Sequence, residues 1–574
     1  MAFRSIAIID CYSDEPAGFG VPFYIDAIPR YVAGACILTG KCERIDYYTF
    51  DDIRIGGANL LRRLDGYDIV VIIAGVVVPG KYLGGRPPSA TELNSLLCSL
   101  KSPLKVIGGA CARYGIGNIG GGYTTPLEKL PCARDCIIVK GDVEKYIYDL
   151  ITYGESMADP NIKVDDPEFI DMVAVKGAII VRQHPCYGYN LLAEIETFRG
   201  CPRWISGGCS FCITKNYGRP LQRDVKGIVR EVEALYNLGV RHFRIGRQAD
   251  ILVYGSKELD CEEWPKPNPE ALRRLFVGIR SVAPSLITLH IDNVNPGTII
   301  RHESESIEAL KIIVKYHTPG DVAALGIESA DERVVKLNNL KVYPDEALKV
   351  IELINRIGAR KGYNGLPELL PGINFVLGLI GETRETYVKN LELLKAVYDR
   401  GLLVRRINVR KVLVLPGTRM WSYGDSIIRR HSSIAKWFER KVQEYSMMFL
   451  KRMLPPGSIL RGLYVEYYDE ILGVTFARQA GSYPLVAEIP CKLRRPAYID
   501  VCIYGYSGRS VRALPVPLNP NRTPLTMLAK ILGRRKAQRV VSERPLNNAK
   551  LKRIMVEEGI EDGLLDLNGY ACAS

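Results

Sequence analysis

Cys201, Cys209 and Cys212 fall within twelve residues, in the run Gly200-Cys201-Pro202-Arg203-Trp204-Ile205-Ser206-Gly207-Gly208-Cys209-Ser210-Phe211-Cys212. Thiolates gathered this closely on a glycine-rich loop suit a soft metal or an iron–sulfur cluster. A cubane cluster has four irons, so three thiolates leave one iron without a protein ligand and able to bind a small molecule. A closed zinc site would need a fourth ligand, and Cys186 and His184 lie fifteen or more residues upstream of Cys201. The spacing therefore favours an open, reactive site over a closed structural one or a chance group of buried thiols.

Such a loop needs a rigid support. A series of α/β units runs from about 178 to 416, with strand candidates at 193–198, 242–245, 286–291, 322–327, 373–379 and 407–415. Helical patterns at 225–238, 269–282 and 385–398 separate them. Six βα units predict a partial parallel barrel, open on one side for a large substrate. The cysteines follow its first strand, at the C-terminal rim where barrel chemistry is found.

Upstream, strand-like runs at 5–10, 68–75 and 104–108 alternate with helical stretches such as 89–101, predicting a parallel α/β sheet wound on both faces. Its strand ends carry Asp10-Cys11, Gly75 and Gly108-Gly109-Ala110-Cys111. No G-x-G-x-x-G follows the first strand, which argues against a dinucleotide. No histidine precedes His184, which removes the usual imidazole donor to cobalt or zinc. Past about 455, short alternating strands at 459–467, 473–477, 485–489 and 498–506 predict a small β-barrel. Residues 523–541 read as two short helices about Gly533. The resulting domains are 1–155, 178–454, 455–515 and 516–574 of the 574-residue chain.

The bulk properties narrow the function. No apolar run approaches a membrane span or a signal peptide, so the expected location is the cytoplasm. Fifteen cysteines in that setting point to metal or redox chemistry, with Cys132 and Cys136 the nearest disulfide candidates. A net charge of +14 favours an anionic partner.

The cysteine motif resembles that of radical S-adenosylmethionine (SAM) enzymes, whose usual spacing is C-x3-C-x2-C followed by a partial barrel. The first gap here is seven residues long. Phe211 matches the aromatic that the family places against the adenine of SAM. Gly326-Ile327-Glu328-Ser329 resembles the family's G-x-E-S, whose Glu binds the SAM ribose. Gly378-Leu379-Ile380-Gly381-Glu382 resembles the fifth-strand loop that packs under the adenine, although Glu382 also suits a helix N-terminus. Pro416-Gly417-Thr418 looks like the P-G-T of methylthiotransferase-like members. Where the family often has Gly-Gly-Glu to hold the methionine amino group, this chain has Gly246-Arg247-Gln248-Ala249-Asp250, making Gln248 or Asp250 the substitute.

The resemblance implies a [4Fe–4S] cluster on Cys201, Cys209 and Cys212, with SAM held by Phe211, Gln248, Glu328, Ser329, Gly378 and Gly381. An external one-electron reductant would drive cleavage of SAM to methionine and a 5′-deoxyadenosyl radical, which abstracts a substrate hydrogen. Asp292, Asn293, Asn295 and Arg247 are candidate substrate contacts at the same rim, with turn capping as the alternative.

The flanking modules resemble known companions of such barrels. The N-terminal domain looks like the Rossmann-like domains of cobalamin-dependent enzymes and methylthiotransferases. It lacks the D-x-H-x-x-G cobalt-ligand motif, which argues against cobalamin. Cys11 and Cys111 fall near two of the three further cluster positions of methylthiotransferases, but buried thiols are the better reading. The small β-domain looks like a TRAM-type barrel and the tail like a helix–hairpin–helix, with Gly533, Arg534, Arg535, Lys536 and Arg539 as nucleic-acid contacts. Tyr464, Tyr467, Tyr468 and Tyr506 are candidates to stack bases or to pack the strands. As a whole the chain resembles archaeal radical SAM proteins with a C-terminal helix–hairpin–helix. The expected function is radical SAM modification of RNA, with tRNA foremost. The alternatives are modification of a protein or small metabolite, or nucleic-acid binding with a structural cluster.

Overall fold

The computed structural model describes residues 3–12, 24–76, 85–117, 121–508 and 510–572. Period-two alternation builds its first layer. Five parallel strands stand in the order Arg44–Thr49, Ser5–Asp10, Ile69–Ile73, Leu104–Gly108 and Ile137–Ile138. Ile6, Ile8, Val71 and Val106 face Val32, Tyr146 and Ile147 of helices Ala27–Leu38 and Val143–Tyr153. Ala7, Ile9, Val70 and Ile107 face Phe50, Leu93 and Leu97 of helices Phe50–Leu64 and Ala90–Ser99. Both faces are thus covered, as strands apolar on both sides require. Cys11 and Cys111 are buried thiols at the ends of this sheet.

The barrel strands are Leu192–Ile195, His242–Ile245, Thr288–Ile291 with its continuation Asn293–Val294, Asp321–Glu328, Leu369–Leu377 and Arg406–Lys411. The first strand is shorter than the sequence pattern suggests: Phe198–Arg199 leaves it to pair antiparallel with Leu221–Gln222. The N-terminal region grips both edges of this open series. Tyr24–Ile25 pairs in parallel with the first barrel strand, and Gly122–Thr125 pairs with Leu413–Val414 beyond the last. The first face of the N-terminal sheet belongs to the same apolar core as the barrel strands.

The C-terminal strands form a closed five-stranded barrel: Ile459–Asp469, Val474–Arg478, Val486–Ile489, Ser510–Val516 and Tyr498–Ser507. Ser510–Val516 adds to the four strands read from the sequence; its Val511, Ala513 and Leu514 join the apolar core shared by the small barrel and the tail. The loop at 479–484 enters the partial barrel from beneath. Thr288 Oγ1 donates to the Ala480 carbonyl (3.1 Å), and Tyr483 Oη donates to Asp292 Oδ1 (2.8 Å). In the tail, helices Leu525–Leu532 and Arg534–Ser542 meet at Gly533, and a third helix, Asn548–Glu557, packs beside them.

The disulfide reading is corrected. Cys132 bonds to Cys98 on helix Ala90–Ser99, 34 residues away with Cα atoms 5.2 Å apart, while the Cys136 thiol donates to the Cys132 carbonyl (3.3 Å). The turn Pro131–Ala133 packs against that helix, so the nearer partner in space is the farther one in sequence. Cys491 and Cys572 form a second bridge, between the small barrel and the tail. No helix among the described residues is long and apolar enough to cross a membrane.

Candidate active site

The cysteine loop rises from the two-stranded neck after the first barrel strand. Gly208 takes φ +56°, and a Cβ there would stand 3.2 Å from Lys215 Cδ and 3.4 Å from the Arg203 carbonyl, so glycine suits this close turn. Cys209, Phe211 and Cys212 pack with Val334, Val376, Ile380 and Met420. Ser210, between the last two cysteines, anchors them. Its Oγ donates to Asn338 Oδ1 (2.6 Å), its N–H donates to the Asn338 carbonyl (3.0 Å), and its carbonyl accepts from Met420 N–H (3.0 Å). Asn338 Oδ1 also accepts from Ile380 N–H (3.1 Å), and its Nδ2 donates to the Ile380 carbonyl (2.8 Å). Asn339 Nδ2 donates to the Gly208 carbonyl (3.2 Å). One buried amide thus fastens the cysteine loop to the loop after the fifth strand. Sequence reasoning missed it; the pair Asn338-Asn339 behind the short helix Glu332–Leu337 reads as an ordinary helix end.

The donor set suits an iron–sulfur cluster. Among the described residues no three His, Cys, Asp or Glu side chains converge on a single metal ion. A four-iron cluster asks for something else, thiolates each on a separate iron. Burial, then the charges of Cys212 and Cys209, push the Cys201 thiol up to about 12. Burial also raises Cys209, against the pull of Arg203 and Lys341. Three thiols close enough to feel one another, faced by two cations, fit an anionic cluster.

Glu328 ends the fourth strand beside this loop. The register with the fifth strand shifts between Leu325 and Glu328, and Glu328 takes φ +67°, a strained conformation for a side-chain-bearing residue. Burial raises its carboxyl to about 7, with Lys341 and Arg410 opposing the rise. At Gly326 a Cβ would collide with the Lys341 ammonium and stand 2.7 Å from Glu328 Oε1. Lys341 Nζ therefore lies near the Glu328 carboxyl, and the charges of Cys209, Glu328 and Cys212 raise its ammonium above the usual lysine range. The Ser329 hydroxyl accepts from Asp331 N–H (3.2 Å) and meets Asn390 Oδ1 at 3.4 Å, so it serves the turn into the next helix. Gly378 and Gly381 lie after the fifth strand, in a loop closed by Glu382, whose Oε2 accepts from Gly378 N–H (2.7 Å).

The remaining rim residues divide between the wall and the scaffold. The Gln248 side chain is tied at both ends: Nε2 donates to the Ile245 carbonyl (2.8 Å) and Oε1 accepts from Thr197 Oγ1 (3.2 Å). Asp250, raised to about 6 by burial, accepts from Thr298 Oγ1 (2.7 Å) and Asn295 N–H (3.1 Å). Asn295 caps helix Pro296–Arg301 through Gly297 N–H, the turn-capping alternative. Asp292 is buried against Arg244 and Tyr483. Gln248, Asn293 and Arg247 line a cleft of about 210 Å³ between the barrel mouth and the N-terminal residues Gly109, Ala110 and Asp142. Gly200, Ile213 and Thr214, which flank Cys201 and Cys212, line it too.

A buried ionic network forms one wall of the cleft. Arg199 meets Glu144 (2.6 Å), Glu196 (2.9 Å) and Asp142 (3.2 Å), while Arg247 meets Asp26 (2.9 Å). Burial holds the Glu194 carboxyl up at about 8 despite Arg244 at 3.3 Å. The signal for this wall was present in the charges set within predicted strands, at Glu194, Glu196 and Arg244.

The tail and the tyrosines behave differently. Arg534 opens the second tail helix after Gly533 (φ +79°). Arg535 pairs with Glu558 (3.0 Å), Lys536 donates to the Gly559 carbonyl (2.9 Å), and Arg539 pairs with Glu543 (2.9 Å). Tyr464 packs on Tyr498, Tyr467 stacks on Phe476, Tyr468 lies under Lys492, and Tyr506 donates to the Leu454 carbonyl (2.7 Å).

Comparison with known proteins places the chain. Residues 195–394 match the family model described as the radical SAM superfamily. An uncharacterised protein of Methanocaldococcus jannaschii is 43% identical over 508 residues, spanning 88% of this chain and 92% of that protein. A probable threonylcarbamoyladenosine tRNA methylthiotransferase of Archaeoglobus fulgidus is 25% identical over 226 residues, 39% of this chain and 46% of that one. Among solved structures, the cobalamin-dependent S-adenosylmethionine radical enzyme OxsB, with aqua-cobalamin bound, aligns at a TM-score of 0.45. That alignment has 12% identity and covers 76% of this chain and 56% of that chain.

Proposed function

Since the chain belongs to the radical SAM superfamily of enzymes, which implies a [4Fe–4S] cluster and SAM, we propose that it activates a C–H bond of an RNA, tRNA foremost. In this reading Cys201, Cys209 and Cys212 hold the cluster. When bound, the cluster supplies the electron that cleaves SAM to methionine and a 5′-deoxyadenosyl radical. Phe211 packs against the adenine, Glu328 accepts from the ribose hydroxyls, and Gly378 and Gly381 keep the loop under the adenine free of side chains. Gln248 and Ser329 fix the rim backbone through their internal hydrogen bonds. The buried wall of Arg199, Arg247, Glu194 and Glu196 orients the substrate and keeps water out of the cleft.

One observation carries this reading. Glu328 is held in a strained conformation on the rim, with the Lys341 ammonium near its carboxyl and subject to the charges of Cys209 and Cys212. A purely structural cluster needs no such arrangement. The RNA substrate draws support from the net charge of +14, the small closed barrel, the tail hairpin and the likeness to a probable tRNA methylthiotransferase. The reading leaves cobalamin out on the lack of the D-x-H-x-x-G motif that would supply an imidazole to cobalt; cobalamin held without a histidine is the alternative.

A second reading, a protein or small-metabolite substrate, is favoured by the tail cations. Arg535, Lys536 and Arg539 are engaged by groups of the tail itself. Two measurements decide. Anaerobic, reduced protein with an intact cluster is expected to convert SAM to 5′-deoxyadenosine; an intact cluster without cleavage overturns the site assignment. Nucleosides of tRNA and rRNA from cells with and without the gene are expected to differ at one modification, and identical profiles turn the reading to protein or metabolite.

A further inference from the structure

The seven residues between Cys201 and Cys209 do more than lengthen the loop. The turn Pro202–Trp204 sends Arg203 inward, to 2% exposure, while Trp204 and Ile205 stay 37% and 46% exposed. Arg203 Nη1 donates to Cys209 Sγ at 3.2 Å. Its Nε donates to Glu263 Oε1 at 3.0 Å, and its guanidinium carbon lies 4.7 Å from the Trp264 ring centroid. The other parts of this seat are equally defined. Glu263 Oε1 also accepts from Ser206 Oγ (2.7 Å), and Trp264 carries a second cation, Arg301, at 3.9 Å. Glu263 and Trp264 belong to the long segment between the second barrel strand and helix Pro269–Val282.

A buried guanidinium is costly unless its charge is answered. Here one partly buried carboxylate, shared with Ser206, answers it on one edge, and a cysteine sulfur answers it on the other. Hydrogen bonds to ligand sulfurs and nearby positive charge favour the more electron-rich form of an iron–sulfur cluster. We infer that Arg203, aimed by Glu263 and Trp264, is a positioning residue that raises the reduction potential of the cluster by donating to the Cys209 sulfur. The inference rests on the reading that Cys201, Cys209 and Cys212 hold a four-iron cluster. Arg203 reaches no reacting atom; it sets how readily the site accepts its single electron from an external donor. The long first gap then has a purpose, since it carries both Arg203 and Ser206, which share Glu263.

The experiment is a mediated redox titration of the full-length, cluster-reconstituted protein, read by the electron paramagnetic resonance of the reduced cluster. At the potential where half of the wild type is reduced, Arg203→Met is expected to lower the reduced-to-oxidised ratio about tenfold, the scale of one charged hydrogen bond. Arg203→Lys should fall between the two. Glu263→Gln should shift the ratio the opposite way, because it removes the counter-charge and leaves the cation; a merely structural role predicts no such reversal. Should Arg203→Met fail to retain iron, Arg203→Lys and Glu263→Gln decide. Unchanged potentials in variants of full iron and sulfide content overturn the inference alone. A wild type that assembles no four-iron cluster, or a Cys209→Ala variant that keeps one, overturns the cluster reading and the inference with it.

Discussion

Two glycine turns in this protein carry arginines, and they use them in opposite ways. In the cysteine loop, Arg203 is buried, gripped by one carboxylate and one indole, and aimed at a sulfur. At the tail hairpin, Arg535, Lys536 and Arg539 lie on the surface and are met by Glu558, the Gly559 carbonyl and Glu543. Exposed pairs of that kind contribute at most about 1 kcal/mol and exchange readily for a phosphate. A buried cation cannot exchange, so its partner is part of the design. The difference teaches that local basic composition says little by itself; what matters is which anion the fold leaves for the cation.

The largest expected effect tests the cysteine side of that contrast. Cys209→Ala removes the sulfur that both Arg203 and Lys341 face. Iron content after anaerobic reconstitution should fall to background, and 5′-deoxyadenosine formation should be lost, with the small barrel still folded. Asn338→Ala comes next. It strips one acceptor and one donor from Ser210 and Ile380 at a buried junction, and each group left unpaired costs about 1–3 kcal/mol. Cluster occupancy and melting temperature should both drop, whereas Ser210→Ala, which removes a single hydroxyl, should do so more mildly.

Glu328 separates burial from charge. Its carboxyl is raised to about 7, so the folded protein keeps a proton that the unfolded chain has already released near the ordinary carboxylate value of about 4.3. The folded state binds more protons across that window, and its stability therefore falls as pH climbs from about 4.5 to 7. The ionised form is the better acceptor for ribose hydroxyls. SAM affinity measured by calorimetry should therefore tighten from pH 6 to pH 8. Glu328→Gln should bind SAM more weakly and lose that limb, while Glu194, raised to about 8, titrates alike in both proteins. A wild type with flat affinity over this range would detach Glu328 from the ribose.

What could be read in advance follows from the range of each interaction. The cysteine loop and Gly326–Ser329 declare themselves because their chemistry lies within a dozen residues of chain. The Asn338 junction does not, because Ser210 is 128 residues away and an Asn after a short helix looks like a cap. Tyr24–Ile25 is too short to show alternation, yet it closes an edge of the barrel. Ser510–Val516 contains Pro515 and follows closely on its partner strand Tyr498–Ser507, so alternation alone does not mark it as a separate strand. Gln248 is a candidate from its position after the second strand, but the neighbours that orient its amide, Thr197 and the Ile245 carbonyl, are visible only in the fold.

The smallest effect tests the tail side. Arg535→Ala with Lys536→Ala removes one exposed pair and one bond to a carbonyl, so folding stability should change by less than about 0.5 kcal/mol. If the hairpin serves RNA, the same cations trade these neighbours for phosphates and release counterions from the nucleic acid. Affinity for total tRNA, measured across a salt series, should then weaken in the double variant, and the slope of log affinity against log salt should shrink by about one to two units. Equal slopes for wild type and variant would mean that the tail cations answer only their own helix. The contrast with Arg203 would then be one between a cation that tunes a cofactor and cations that merely hold a hairpin shut.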